Sequence, residues 1–318
     1  LLTCQSMGLA QDTEPESANP EIPNADESQT GVPAGHSVHG EAFNEGPRQK
    51  AYLMGGTGRI EFEVTTSNPE AGDFVRQGMG QLYGYWYLEA ERSFRQAAML
   101  DPDCAIAYWG MASANSSNSK RAKSFIDEAV KRKGSAGKLE GMMIDALSDY
   151  LNNKSKKQAD KTKPYFAALE KMASEFPDNL EVKAARAFAM YRYRTDLKLS
   201  YDDANKALNE VLAIEPLHPV HHFRIHLWDY KDSAKALNSA ASCGTAAPGI
   251  AHMWHMPGHI YSREKRYSDA AWQQEASARV DHAHMMRDRV LPDQIHNFAH
   301  NNEWLIRNLG HIGRWRDA

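Results

Sequence analysis

Cysteine is scarce. The three present, Cys4, Cys104 and Cys243, never stand at C-x-x-C spacing, which excludes a disulfide scaffold and a thiolate zinc knuckle. Long apolar runs are missing too: none reaches the roughly 18 residues of a membrane-spanning helix. Neither sign of charge dominates. The 37 basic and 41 acidic side chains leave a net charge of −4, without the basic excess of a nucleic-acid binder. There is no HExxH protease motif, and the GGTG at residues 55–58 lacks the lysine and following helix of a phosphate loop, so it reads as a turn. No Ser/His/Asp order or Cys/His pair stands at a spacing that defines a nucleophile, and no catalytic residue is assigned. What is present is ordinary for a globular chain of 318 residues, 42% apolar and 25% charged. That is length for one large domain or two medium ones, with material for a sizeable core.

The first residues, LLTCQSMGLA, look like the tail of a secretory signal, with Gly8 and Ala10 as the small residues before a cleavage site. Residues 1–10 are therefore read as a signal-peptide remnant. The chain is expected to be exported, to the periplasm or cell envelope. Residues 11–50 carry eight acidic and two basic side chains among Pro, Ser, Asn and Gly. Such a stretch buries too little apolar surface to offset its ordering entropy. An acidic disordered linker is expected over residues 11–62.

From about residue 63 the pattern turns helical and recurrent. Gly78, Ala90, Phe94, Ala97 and Pro102 fall at offsets 8, 20, 24, 27 and 32 of a 34-residue tetratricopeptide (TPR) unit. The small residues let two antiparallel helices approach, Phe94 fills the gap between them, and Pro102 stops the second helix. Gly110, Ala122, Ile126 and Ala129 repeat the phase, and Gly258, Tyr261 and Ala270 fit a later unit. Gly313 and Ala318 match a last unit that the chain end cuts short. The expected fold is all-α, a TPR-like α-solenoid of about six helix pairs over residues 63–318. The charge-rich stretch from 120 to 175 interleaves with apolar residues at helical spacing and reads as a solvated helix face.

Histidine is the chemical signal. Twelve of the 14 lie between His218 and His311. His218/His222, His222/His226, His255/His259 and His296/His300 stand four apart, so on a helix each pair shares a face. Two imidazoles so placed can hold one metal ion, and imidazole suits zinc, copper and iron. In the repeat register the first helix of each unit lines the concave groove. His252, His255 and His259 then take groove positions, flanked by His226 from the preceding unit and His300 from the following one. The candidate ligands are His222, His226, His252, His255, His259, His296 and His300. Pro257 is expected to kink or start a helix between His255 and His259. Asp229, Asp281, Asp293 and Glu303 are candidate carboxylates behind the imidazoles. Trp254, Asn301 and Arg307 are candidate groove residues toward a partner. The bland alternative is that the histidines are hydrogen-bonded packing groups, helped by Trp228, Trp254 and Trp304. Met253, Met256, Met285 and Met286 are read as core.

The segments AYWGMA, HPVHHFRIHLWDY and AHMWHMPGHIY resemble exported bacterial TPR proteins of planctomycete type. His255, Pro257, Gly258, His259 and Tyr261 match that family's H-M-P-[SG]-H-I-Y motif. The resemblance implies a TPR array and export. In several such proteins a redoxin-like domain follows the array, and a partner of that kind is one implication. Two functional readings stand. One is a scaffold holding a peptide, a protein partner or an adjoining domain in a histidine-rich groove. The other is a histidine-ligated metalloprotein, either a metal carrier or an oxidoreductase. A pH-responsive binder is a third and weaker expectation, because clustered imidazoles titrate together.

Overall fold

Asn68 opens the first helix: its side chain accepts from the Glu70 N–H, and Pro69 sits at the first helical position, where a missing N–H is harmless. The computed structural model describes residues 50–292, 295 and 297–318. Residues 1–49, where a signal remnant and most of the linker were expected, and Asp293, Gln294 and His296 lie outside the described residues. Within them the chain is all-α, with no strand. The helices are α1 (Pro69–Tyr83), α2 (Tyr87–Leu100), α3 (Ala105–Ala114), α4 (Ser119–Arg132), α5 (Lys138–Asn152), α6 (Ala159–Glu175) and α7 (Leu180–Arg192). They continue with the short α8 (Arg194–Leu197), α9 (Tyr201–Ile214), α10 (His221–Trp228), α11 (Leu237–Ala246), α12 (Ala251–Arg263), α13 (Tyr267–Asp288) and α14 (Phe298–His311). No helix among the described residues is long and apolar enough to cross a membrane.

Chain neighbours pack on one another, most extensively α1 on α2, α3 on α4 and α12 on α13. The small positions of the repeat pattern explain how closely. A Cβ on Gly78 would come within 2.7 Å of the Phe94 ring, and one on Gly110 within 2.3 Å. The fully buried Phe94 therefore sits where α1 and α3 approach α2. A Cβ on Gly258 of α12 would lie 2.2 Å from the Gln274 amide of α13.

Residues 51–62 depart from the expected linker. They form an irregular strap with Ala51, Ile60 and Phe62 buried. The Gln77 amide donates to the Tyr52 carbonyl at 2.9 Å, and the Gly249 N–H donates to the Gly56 carbonyl at 2.7 Å. Gly56 and Gly58 turn the strap at φ of 78° and 99°, conformations that cost glycine least. The linker expectation rests on the composition of residues 11–50 and was carried past a segment in which six of 12 residues, Ala51 to Met54, Ile60 and Phe62, are apolar; Ala51, Ile60 and Phe62 join the main core.

The chain also closes on itself. Arg92 of α2 pairs with Asp288 at the end of α13 at 2.9 Å, both side chains buried, and the Tyr52 hydroxyl donates to the same carboxylate. The α1 end reaches the interior as well: the Tyr83 hydroxyl donates to Glu181 of α7 at 2.6 Å. The turn after α1 therefore lies against helices far along the sequence.

Candidate metal centre

Three helices bring six histidines together. His222 and His226 come from α10, His252, His255 and His259 from α12, and His300 from α14. They form two triplets rather than one cluster. Ring nitrogens of His222, His226 and His252 lie within 4.8 Å of one another, and so do those of His255, His259 and His300. The stacked rings of His252 and His255, centroids 5.7 Å apart, join the triplets.

Pro257 does not interrupt this arrangement. α12 runs through it from Ala251 to Arg263, with nine of its 13 residues buried. Packing against α11, α10 and α13 overrides the local preference of proline. His255 and His259 consequently share a face, their Nε2 atoms 2.7 Å apart.

Outer partners set the protonation of the rings. The Nδ1 of His222 lies 2.6 Å from the Tyr83 carbonyl, which can only accept, so Nδ1 carries the proton and Nε2 offers its lone pair. That Nε2 faces the Nε2 of His226 at 2.9 Å. The same logic orients His255. The Gln274 amide nitrogen donates to the His255 carbonyl at 3.1 Å, which leaves its oxygen to accept from Nδ1 at 2.7 Å. His255 Nε2 is then the free lone pair, aimed at His259. On the far side, His259 Nδ1 lies 3.7 Å from the Asp229 carboxylate. His252 Nδ1 meets the Asn297 amide at 3.0 Å, and its buried Nε2 has no hydrogen-bond partner.

Burial keeps four of the rings, His222, His226, His252 and His255, neutral. Burial, followed by the neighbouring imidazoles, pushes His222 and His252 well below the usual histidine range. Burial lowers His226 to about 4 and His255 to about 2. Asp229 remains a carboxylate: burial opposes its charge, but His259 and Arg263 overcome this and hold its pKa below the usual value. Neutral imidazoles that offer Nε2 lone pairs, as His222 and His255 do, are donors that a borderline transition-metal ion takes. Each triplet is a group of three nitrogens that could hold one ion, with small ring movements bringing them to the usual bonds of about 2.0–2.1 Å. Oxygen-preferring ions such as magnesium or calcium do not suit them.

The triplets differ in access. His222 is fully buried, whereas His300 is exposed at the edge of the second triplet. Trp304 stacks on His259 with centroids 4.1 Å apart, and Arg307 lies over Trp304 at 5.0 Å. Glu303 is exposed, paired with Arg307 at 2.7 Å and 3.8 Å from His300. The other groove candidates lie elsewhere. Trp254 donates to the Pro248 carbonyl and packs on Gly244 and Trp272. Asn301 is buried and donates to Asp281 at 2.6 Å. Met253 meets Cys243 in the core.

Three participants escaped sequence reasoning: the Tyr83 carbonyl, Gln274 and Tyr85. The Tyr85 ring packs against His222, His226 and His252, with centroids 4.5, 5.5 and 6.1 Å away. Its backbone holds φ of 55°, unusual for an aromatic residue. Gln274 could have been suspected as the residue opposite the small position at Gly258. The other two carry no local signal. The chain matches no protein-family model, and a search of curated proteins finds no match.

Proposed function

We propose that this protein is a histidine-ligated metalloprotein in which an array of TPR-type helix pairs holds two neighbouring transition-metal ions, zinc, copper or iron, one in each histidine triplet. The supporting observation is the pair of Nε2 lone pairs, on His222 and His255, that outer acceptors aim at a second imidazole. A peptide-binding groove needs polarity, but it has no use for five buried or half-buried rings, two of them with tautomers fixed by buried acceptors. Three histidines per ion leave a position for water or substrate, as in catalytic zinc sites.

Elemental analysis of protein purified without tag or chelator tests this, alongside His255→Ala/His259→Ala and His222→Ala/His226→Ala variants shown to be folded by circular dichroism. Two equivalents of metal are expected in the wild type and about one in each variant. Absence of metal in the wild type after reloading with zinc, copper and iron in turn overturns the reading. The scaffold reading would then stand, and would be marked by tolerance of His→Gln changes.

A further inference from the structure

A cavity of about 760 Å³ opens beside the first triplet. Eleven aromatic side chains line it, seven of them tyrosines, and no lysine or histidine does. Tyr87, Trp109, Tyr150, Tyr165, Phe188 and Tyr193 shape its walls. The volume falls within the range of about 300–1,000 Å³ typical of small-molecule pockets, which are apolar with a few placed polar groups. The deepest charge, Glu181, is already committed: it accepts from the Tyr83 hydroxyl at 2.6 Å and from the Glu61 N–H at 3.2 Å. The remaining charged lining residues are an exposed Arg192 and a half-buried Asp196, one of each sign. Placed polar groups are present. The Tyr150 hydroxyl accepts from the Gln158 amide at 2.7 Å and lies 3.4 Å from the Tyr193 hydroxyl, and the Tyr150, Tyr165 and Tyr193 rings cluster 5.4–6.4 Å apart. Such walls stack against a planar ring and hydrogen-bond a hydroxyl on it, and they offer no uncommitted buried charge to a strongly ionic ligand.

The wall nearest the metal centre is one side chain thick. Tyr85 lines the cavity and also packs on all three histidines of the first triplet. Tyr191 lines it with its ring 6.4 Å from His226, and Phe223 lines it with its ring 5.6 Å from His222. We propose that this cavity is the binding pocket for an uncharged, hydroxylated aromatic molecule, seated one aromatic layer from the ion held by His222, His226 and His252. The pocket itself stands on its own lining, and its pairing with an ion rests on the metal reading above.

The test uses 2-naphthol as probe. Isothermal titration calorimetry on metal-free protein is expected to show saturable 1:1 binding. Ala185→Trp, which fills the cavity from α7, and Tyr193→Ala, which removes part of its wall, are each expected to weaken binding by at least about tenfold. Circular dichroism checks that both variants fold. No saturable binding, or unchanged binding in both folded variants, overturns the pocket whatever the metal content. A second arm compares protein loaded with Cu(II) and with Zn(II) by proton relaxation of the bound probe. Faster relaxation with Cu(II), lost in His222→Ala/His226→Ala, places the probe beside the first triplet. Equal relaxation with copper bound, or no copper bound at all, overturns the pairing while the calorimetry decides the pocket.

Discussion

At the residue scale the histidines are only as good as the groups that orient them. Gln274 is the sharpest case, because a single amide reads the His255 carbonyl and ring together. Gln274→Leu removes the acceptor for Nδ1–H and frees the ring to turn. It is expected to weaken metal binding about 10–100-fold while the helices persist, measured by competition against a chromogenic chelator. A second residue-scale prediction concerns acid. Burial raises Asp281 to about 6, although the Asn301 amide donates to it and opposes the shift. A carboxyl whose folded pKa lies above its unfolded value stabilises the fold fully below the unfolded pKa, near ~3.9, and loses that contribution as pH rises through about 6. Wild-type stability should therefore carry a downward component between about pH 4 and pH 7 worth at most about 3 kcal/mol. Asp281→Asn should lack that component, as urea melts at both ends of the window would show.

At the element scale the helix pairs obey a steric rule that could be read directly. Gly78, Gly110 and Phe94 were identifiable from spacing because close approach of two helices demands a small residue wherever a large one intrudes. Gly110→Ala would push a methyl into the Phe94 ring and should cost about 1–3 kcal/mol. Combined with Phe94→Leu, the same change should cost measurably less, and a double-mutant cycle on denaturant midpoints would show the coupling. The four-residue spacing of the histidines was equally legible, since helical geometry alone puts His222 beside His226 and His255 beside His259. What could not be read was anything set by packing from afar. Pro257 was expected to kink or start a helix because its local effect is disruptive; α12 in fact starts at Ala251 and continues past it, with most of its residues buried. Half of the residues in the strap at 51–62 are apolar, a signal that was there to read, but its pairing with Gln77 and Gly249 is set by packing from afar. The division into two triplets depends on the crossing of α10, α12 and α14, which no single segment encodes.

At the scale of the whole molecule, the contact between the α1–α2 hairpin and α13 matters most. A repeat array touching only its neighbours would leave Arg92 and Asp288 apart, whereas here they meet although they stand 196 positions apart in the chain. Asp288→Ala would leave the buried Arg92 guanidinium with Glu89 alone, 3.2 Å away, and should cost about 1.5–3 kcal/mol. Hydrogen exchange should then rise at the C-terminal end of α13, where Asp288 and His284 meet Arg92, Glu89 and Trp86. The Tyr83 carbonyl that fixes the His222 ring comes from this same closed part of the chain, 139 residues earlier. A ribosome therefore exposes the first acceptor long before it makes the last imidazole. On the proposed reading, synthesis finishes the first triplet with His252 in α12 and the second only with His300 in α14, so the two ions become seatable in the order in which their last ligands are made.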